Sequence, residues 1–487
     1  MTQLNHLGLR WRLWALAPVV FAVIGASVLP AAESDYETPP VLKASDVLPE
    51  KMQAGEHFTV QSQVQNDGYM NHYVVDSDYG QFPAYGNLSL YRLMNEIHAL
   101  AQLDEVSKTK VFAQAALDSA TGQVKTIVEV SKHPVGTVKG LPGGMKRMFH
   151  QYKREAKYGY KTAKDVSGEA VDVVTPGDSD EDEEGQAEKK DSDGDGKKES
   201  DTKELTGQAT DAAENYALKW FGVSGAERKW YKKLQVDPYT RNQTLRKAIT
   251  SVAHVDAAAN FGMRFVPIPS IPGVDYVRRV NEAVWTMDPE ELREQNTKKL
   301  QDAGVEAGLI QKFMTNEHLS PSQQTLMLTT LAQMKGVEGL QVMLGIAAEA
   351  DAVDVAEFSL ANTLLLAAYH KFRTPVSKVF PGEPVPVALD EDNHLIIVVS
   401  ADYAFWVDDL GEVITLMAEK FDDQVVNSRS LWLRGKASDR FVAELQNLGW
   451  VARQQITLTD KVKEQFLHPS QQKKPDDSKK DAEEQDG

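Results

Sequence analysis

KHPVGTVKGLPGGMKRMFHQYKREAKYGYKTAK (Lys132–Lys164) and DSDEDEEGQAEKKDSDGDGKKESDTKE (Asp178–Glu204) together divide this chain. The first segment carries nine Lys or Arg against one Glu; the second carries 13 acids against five bases, a net of −8. An acidic run with no aromatic and no β-branched cluster buries too little apolar surface to offset the entropy of ordering it. It is therefore expected to be a disordered linker. The chain then reads as an α+β multidomain protein. An N-terminal β-meander with helices precedes the acidic linker, and a mainly α-helical middle domain ends in a small mixed α/β sheet domain. The expected boundaries are 1–32 (signal peptide), 33–54 (extended leader), 55–165 (small α/β domain with the basic segment), 166–206 (linker), 207–372 (helical domain), 373–460 (α/β domain) and 461–487 (charged tail).

In the basic half, Pro134, Pro142 and the glycines at Gly136, Gly140, Gly143 and Gly144 break any long helix before Met145. From Met145 onward a helix is expected. A basic amphipathic segment with aromatics can lie on an anionic membrane surface, each basic residue there contributing about 1 kcal/mol. Lys139, Lys146, Arg147, Lys153 and Arg154 are the candidates for that contact. The competing expectation is a helix packed on its own domain or against the acidic run. Inside the acidic half, Asp191, Asp193, Asp195 and Asp201 follow a D-S-D-G-D-G pattern that suits a calcium loop: alternate carboxylates converge and Gly makes the turn. This run resembles the Asp-x-Asp-x-Asp-Gly loops of thrombospondin type 3 and dockerin modules. The resemblance covers Asp191–Asp201 alone, and Thr202 stands where an EF-type loop has its Glu. Linker composition accounts for the same residues, so no cofactor is expected, with calcium as the one candidate.

Outward toward the N-terminus, His57–Gln65 alternates Phe58, Val60 and Val64 with Thr59, Gln61, Gln63 and Gln65. That is a half-buried strand. Asn66-Asp67-Gly68 is a hairpin turn, Tyr69–Ser77 the return strand, and Gln81–Tyr85 a third. Leu90, Leu93, Ile97, Leu100 and Leu103 then give a helix one apolar stripe, and Val106–Val130 reads as a second helix. At the very start, Arg10 and Arg12 precede the 17-residue apolar run Leu13–Leu29 and the small residues Ala31 and Ala32. This is the order of a secretory signal. The expected location is periplasmic or secreted, with an inner-membrane anchor as the alternative.

Toward the C-terminus, helix starts are well marked. Ser224, Asp288-Pro289-Glu290-Glu291 and Ser320-Pro321-Ser322-Gln323 all carry N-cap signals, the last two as capping boxes with Pro at the first helical position. Pro384–Leu389, Leu395–Ser400, a helix at Asp408–Lys420, Ser430–Leu433, a helix from Ser438 and Trp450–Leu458 then give the order ββαβαβ.

The 487 residues carry a net charge of −18 and no Cys. The charge disfavours nucleic acid as a partner. The missing thiols exclude disulfides, thiolate nucleophiles and Cys-type metal sites. HExxH and GxSxG do not occur, and Gly435-Lys436-Ala437-Ser438 has Ser430 where a phosphate loop needs Gly. The best catalytic candidates are His72 with Asp76 and Asp78, since His72 and Asp76 share one strand face. Asp402, Asp408 and Asp409 follow a buried strand, a place where α/β sheets hold ligands. With no convergent set evident, the expected function is an exported bacterial envelope protein that binds or scaffolds without catalysis. Its partner would be another protein, an envelope component or an anionic membrane surface. The alternative is a periplasmic or secreted hydrolase using His72 with nearby carboxylates.

Overall fold

The alternating N-terminal segment folds into the expected antiparallel meander. The structure, a computed structural model, describes residues 35–110, 112, 143–165 (side chains to 156), 212–217, 219–256 and 282–456. The apolar run Leu13–Leu29, most of Val106–Val130, the acidic run and the charged tail lie outside them. The expected first strand is broken at Gln61–Ser62 into β3 (Phe58–Val60) and β4 (Gln63–Asn66). Both pair with one side of β5 (Asn71–Ser77), and β6 (Gly80–Tyr85) pairs with the other. The leader adds β1 (Leu42–Lys43) to β4 and β2 (Ala54–Gly55) to β3. Among the described residues no strand pairs with the outer edge of β6, where Pro83 removes a donor, as proline does on edge strands.

The inner face of the meander, with Phe58, Val60, Val64, Tyr73, Val75 and Phe82, is buried against the helix Gly86–Ser107. Its core continues into Trp220, Trp230, Leu245, Ile249 and Trp285, so residues on both sides of the acidic run share one hydrophobic cluster. A second cluster surrounds the helix Val353–Phe372. Fifteen of its 20 residues are buried, the mark of an internal helix rather than a surface one. It packs between the middle helices and a five-stranded C-terminal sheet.

That sheet contains the expected ββαβαβ unit. β8 (Val387–Asp390) and β9 (His394–Val399) are antiparallel; β9, β11 (Ser428–Leu433) and β13 (Val451–Arg453) are parallel. The helices Asp408–Lys420 and Asp439–Asn447 make the crossovers. β7 (Val376–Phe380), not foreseen in the sequence, completes the sheet and is itself flanked by a bridge from Glu338 to Lys378. A small parallel pair, β10 (Tyr403–Ala404) with β12 (Lys436–Ala437), lies apart. From Tyr36 on, these parts form one compact unit.

Two of the three capping signals form side-chain caps. Ser224 with Glu227 and Ser320 with Gln323 form full capping boxes. Asp288 sits at its N-cap with Pro289 at N1, but its side chain makes no cap bond and turns instead to Arg228 at 3.3 Å.

Candidate functional site

The polar face of the meander does not end in open water; it forms one wall of a cleft of about 810 Å³. Two cross-strand rows make that wall. Gln65, His72 and Tyr85 are register partners across β4, β5 and β6; Val74 and Pro83 form the next row. Period-two alternation put the apolar set into the core, so the opposite set faces the cleft. The facing wall is built by two helix starts. Asp354, near the start of the Val353–Phe372 helix, accepts the backbone N–H groups of Gly144 and Met145 at 3.0 and 3.2 Å and so caps the basic helix Gly144–Asp165. A carboxylate at this position satisfies the free N–H groups and the helix dipole together.

The base of the cleft holds a charge cluster. Arg92 donates to Glu357 at 2.6 Å. Glu96, 4% exposed, accepts from Thr240 and, at 3.1 Å, from Asn242. Burial pushes its carboxyl up, partly offset by Arg92 and these hydrogen bonds. Asp237 behind it is also raised by burial, offset by Ser322 and the Tyr239 N–H. Arg241 donates to the His318 carbonyl at 2.9 Å, lies 4.9 Å over the Trp220 ring and is lowered by burial. The cleft lining thus has three arginines (Arg92, Arg147, Arg241) against three acids (Glu96, Asp354, Glu357). Every one of these arginines is already engaged: Arg147 meets Asp351 at 2.8 Å.

His72 stands at one end of this cleft, its side chain 11% exposed. Its Nε2 lies 3.0 Å from Asp67 Oδ2. The Tyr85 hydroxyl donates to the same oxygen at 2.8 Å, and Oδ1 of Asp67 accepts the Tyr69 and Met70 N–H groups at 3.2 and 2.8 Å. With four donors on two oxygens the carboxylate is an acceptor only. In its neutral form His72 therefore presents Nε2–H to Asp67 and carries its lone pair on Nδ1. Tyr85 packs edge-on to the imidazole at 4.5 Å, its own hydroxyl raised by burial and by Asp67.

The structure does not bring His72, Asp76 and Asp78 together. His72 and Asp76 are about 13 Å apart by strand rise. Asp76 accepts from Gln61 and Gln81, and Asp78 pairs with His57 at 2.9 Å on the surface. The carboxylate that serves His72 is Asp67, which the sequence presents as a turn residue. An Asp in a hairpin turn five residues ahead of a strand His was the available signal.

Of the five basic residues named for an anionic surface, Lys139 lies outside the described residues and Arg154 is exposed. The other three meet acids of this chain. Lys146 approaches Asp409 at 3.6 Å, Lys153 approaches Glu412 at 3.2 Å, and Arg147 takes Asp351. His150 Nε2 is 2.9 Å from Asp409 Oδ1, in ion-pair range but off the line of a hydrogen bond. Met145, Phe149 and Tyr152 are buried beneath. The helix is thus docked on the helices Asp408–Lys420 and Val353–Phe372. Asp191, Asp193, Asp195 and Asp201 lie outside the described residues, and among the described ones no group of three His, Cys, Asp or Glu could hold a metal. Among the described residues, too, no helix is long and apolar enough to cross a membrane.

The carboxyl end of the parallel strands, the other expected ligand position, is filled by the chain itself. The turn between β4 and β5 inserts there: Asp402 N–H donates to Tyr69 O at 2.8 Å, and Phe405 N–H to Gly68 O at 2.8 Å. Asp402 Oδ2 accepts the N–H groups of Asn71 and Asn87 at 3.2 and 2.9 Å. Asp402 joins the two sheets, and Asp409 holds the basic helix. Comparison of the chain with protein-family models, curated proteins and solved structures found no match.

Proposed function

We propose that this chain is an exported envelope protein that works by binding, with the cleft between the meander and the two helix starts as its ligand site. The observation that carries this reading is the cleft itself: about 810 Å³, within the range of small-molecule sites. Its charges are balanced three against three, and its Gln63, Gln65 and Gln243 side chains are exposed at the wall. Amide groups that both donate and accept suit an uncharged polar ligand better than a phosphate or an ammonium group. Export rests on the leader-like order of Arg10, Arg12 and Leu13–Leu29. In this reading Lys146, Arg147 and Lys153 hold the basic helix to its own protein rather than to a lipid surface.

Val74→Trp, on the cleft wall, fills the site without touching the core face. A thermal-shift panel of neutral sugars, amino acids and short peptides is run on the wild type and this variant. The expected result is a compound that stabilises the wild type and leaves the variant unmoved. Compounds that act equally on both, or on neither, refute the reading.

A further inference from the structure

The cleft contains the parts of a general-base centre, and they come from two adjacent strands and the turn between them. Asp67 fixes the Nε2–H tautomer of His72. His72 lines the cleft with its side chain 11% exposed, and its opposite ring nitrogen, Nδ1, makes no hydrogen bond to a described residue. Gln65 is the direct cross-strand partner of His72 on the same face, exposed and also lining the cleft. Directly opposed strand residues have Cβ atoms about 5 Å apart, so a group bound over His72 is within reach of the Gln65 amide. His57 supplies a contrast inside the same molecule. It too faces a carboxylate, Asp78 at 2.9 Å, but that aspartate is 63% exposed and neither residue lines the cleft.

We propose that His72 is a general base that activates water against an acyl ester held in the cleft, with Gln65 as the oxyanion donor and Asp67 as the positioning residue. The proposal rests on the cleft being a ligand site and adds an activity to it. Water forms a bond from its oxygen to the ester carbonyl carbon while its proton passes to His72 Nδ1. The carbonyl π electrons move to oxygen, where the Gln65 amide N–H donates to them. The imidazolium is stabilised by Asp67 through Nε2–H, the carboxylate acting as the group that orients the base. The tetrahedral adduct then re-forms C=O, breaks the bond to the alcohol oxygen, and that oxygen takes the proton from Nδ1. The products are a carboxylic acid and an alcohol, and no oxidant, metal or second nucleophile enters the balance.

The test uses the full chain with p-nitrophenyl butyrate. The expected result is saturable hydrolysis that falls roughly 100-fold or more in His72→Gln and persists in His57→Gln. Gln65→Ala, an exposed position whose loss leaves the fold intact, should lower kcat by up to roughly 100-fold with KM unchanged; it decides the matter if His72→Gln does not fold. Asp67→Asn should lower kcat, and imidazole ¹⁵N shifts should show the Nε2–H form of His72 in the wild type and a mixture in the variant. A wild-type rate no higher than that of free imidazole, or a rate kept in both His72→Gln and Gln65→Ala, overturns the proposal. If the ester still saturates the wild type but not Val74→Trp, binding in the cleft survives that failure; if it saturates neither, both readings fall.

Discussion

Replacing Asp402 by Asn tests how the two sheets are joined. Asp402 is 5% exposed; its Oδ2 takes two backbone N–H groups while Oδ1 has no hydrogen-bond partner. Burial raises its carboxyl from 3.8 to about 6, against the opposing pull of Arg434 and the N–H groups of Asn71 and Asn87. The folded pKa lies above the unfolded one, so this group's stabilising contribution is full below the unfolded value and is lost as pH rises through about 6. The gap between 3.8 and about 6, at about 1.4 kcal/mol per pH unit, amounts to about 3 kcal/mol. Asn keeps the acceptor for both N–H groups but cannot ionise. Its stability relative to the wild type should therefore climb by about 3 kcal/mol between pH 3.5 and pH 7. The attraction of Arg434 for the ionised carboxylate is already contained in the folded value of about 6, so it is not counted again. Urea unfolding followed by tryptophan fluorescence at several pH values, with equal m-values required of both proteins, measures the difference. A difference that is flat with pH, or that falls toward neutrality, would show that Asp402 is not the strained carboxylate described above.

Four further substitutions, in two pairs, separate packing from local backbone effects. Gly435→Ala would place a Cβ 1.8 Å from the Asp402 carbonyl oxygen, so it should abolish folding or lower the melting temperature sharply. Gly304→Ala, at φ +73° with nothing nearby, should cost only about 1 kcal/mol of backbone strain in the same melting experiment. Ser320→Ala removes the oxygen that accepts the Gln323 N–H and should cost about 1 kcal/mol. Asp288→Ala removes no cap bond and should change urea stability by less than half of that.

The local half of this fold was legible because each of its signals is carried by neighbouring residues. Alternation over Phe58–Val64, the three-and-four spacing from Leu90 to Leu103, and Ser-Pro at residues 320–321 each fix an element within one or two turns of chain. What stayed hidden depends on partners far away in sequence. β7 gave no pattern of its own; two of its five residues are buried and its outer edge is covered by Glu338. Asp288 has every local sign of a cap, yet its carboxylate is drawn to Arg228, 60 residues earlier. Nothing near Asp288 in sequence reveals that competition.

The site shows the same division, and it explains what becomes of the strand end that Asp402, Asp408 and Asp409 follow. Ligands lie at the carboxyl ends of parallel strands because loops there leave a crevice. In this chain the crevice is closed: the turn at Asn66–Asn71 enters it, and Asp402 meets that turn's backbone N–H instead of a ligand. The same insertion creates the cleft. Seating the turn against the C-terminal sheet brings the outer face of β4–β6 opposite the start of the Val353–Phe372 helix, and Asp354 there caps the basic helix. The turn residue Asp67 is then committed to His72 and Tyr85 in the cleft wall, while its neighbours bind the sheet. One four-residue turn therefore does two jobs. It holds the N-terminal meander on the rest of the molecule, and it orients His72 in the cleft wall.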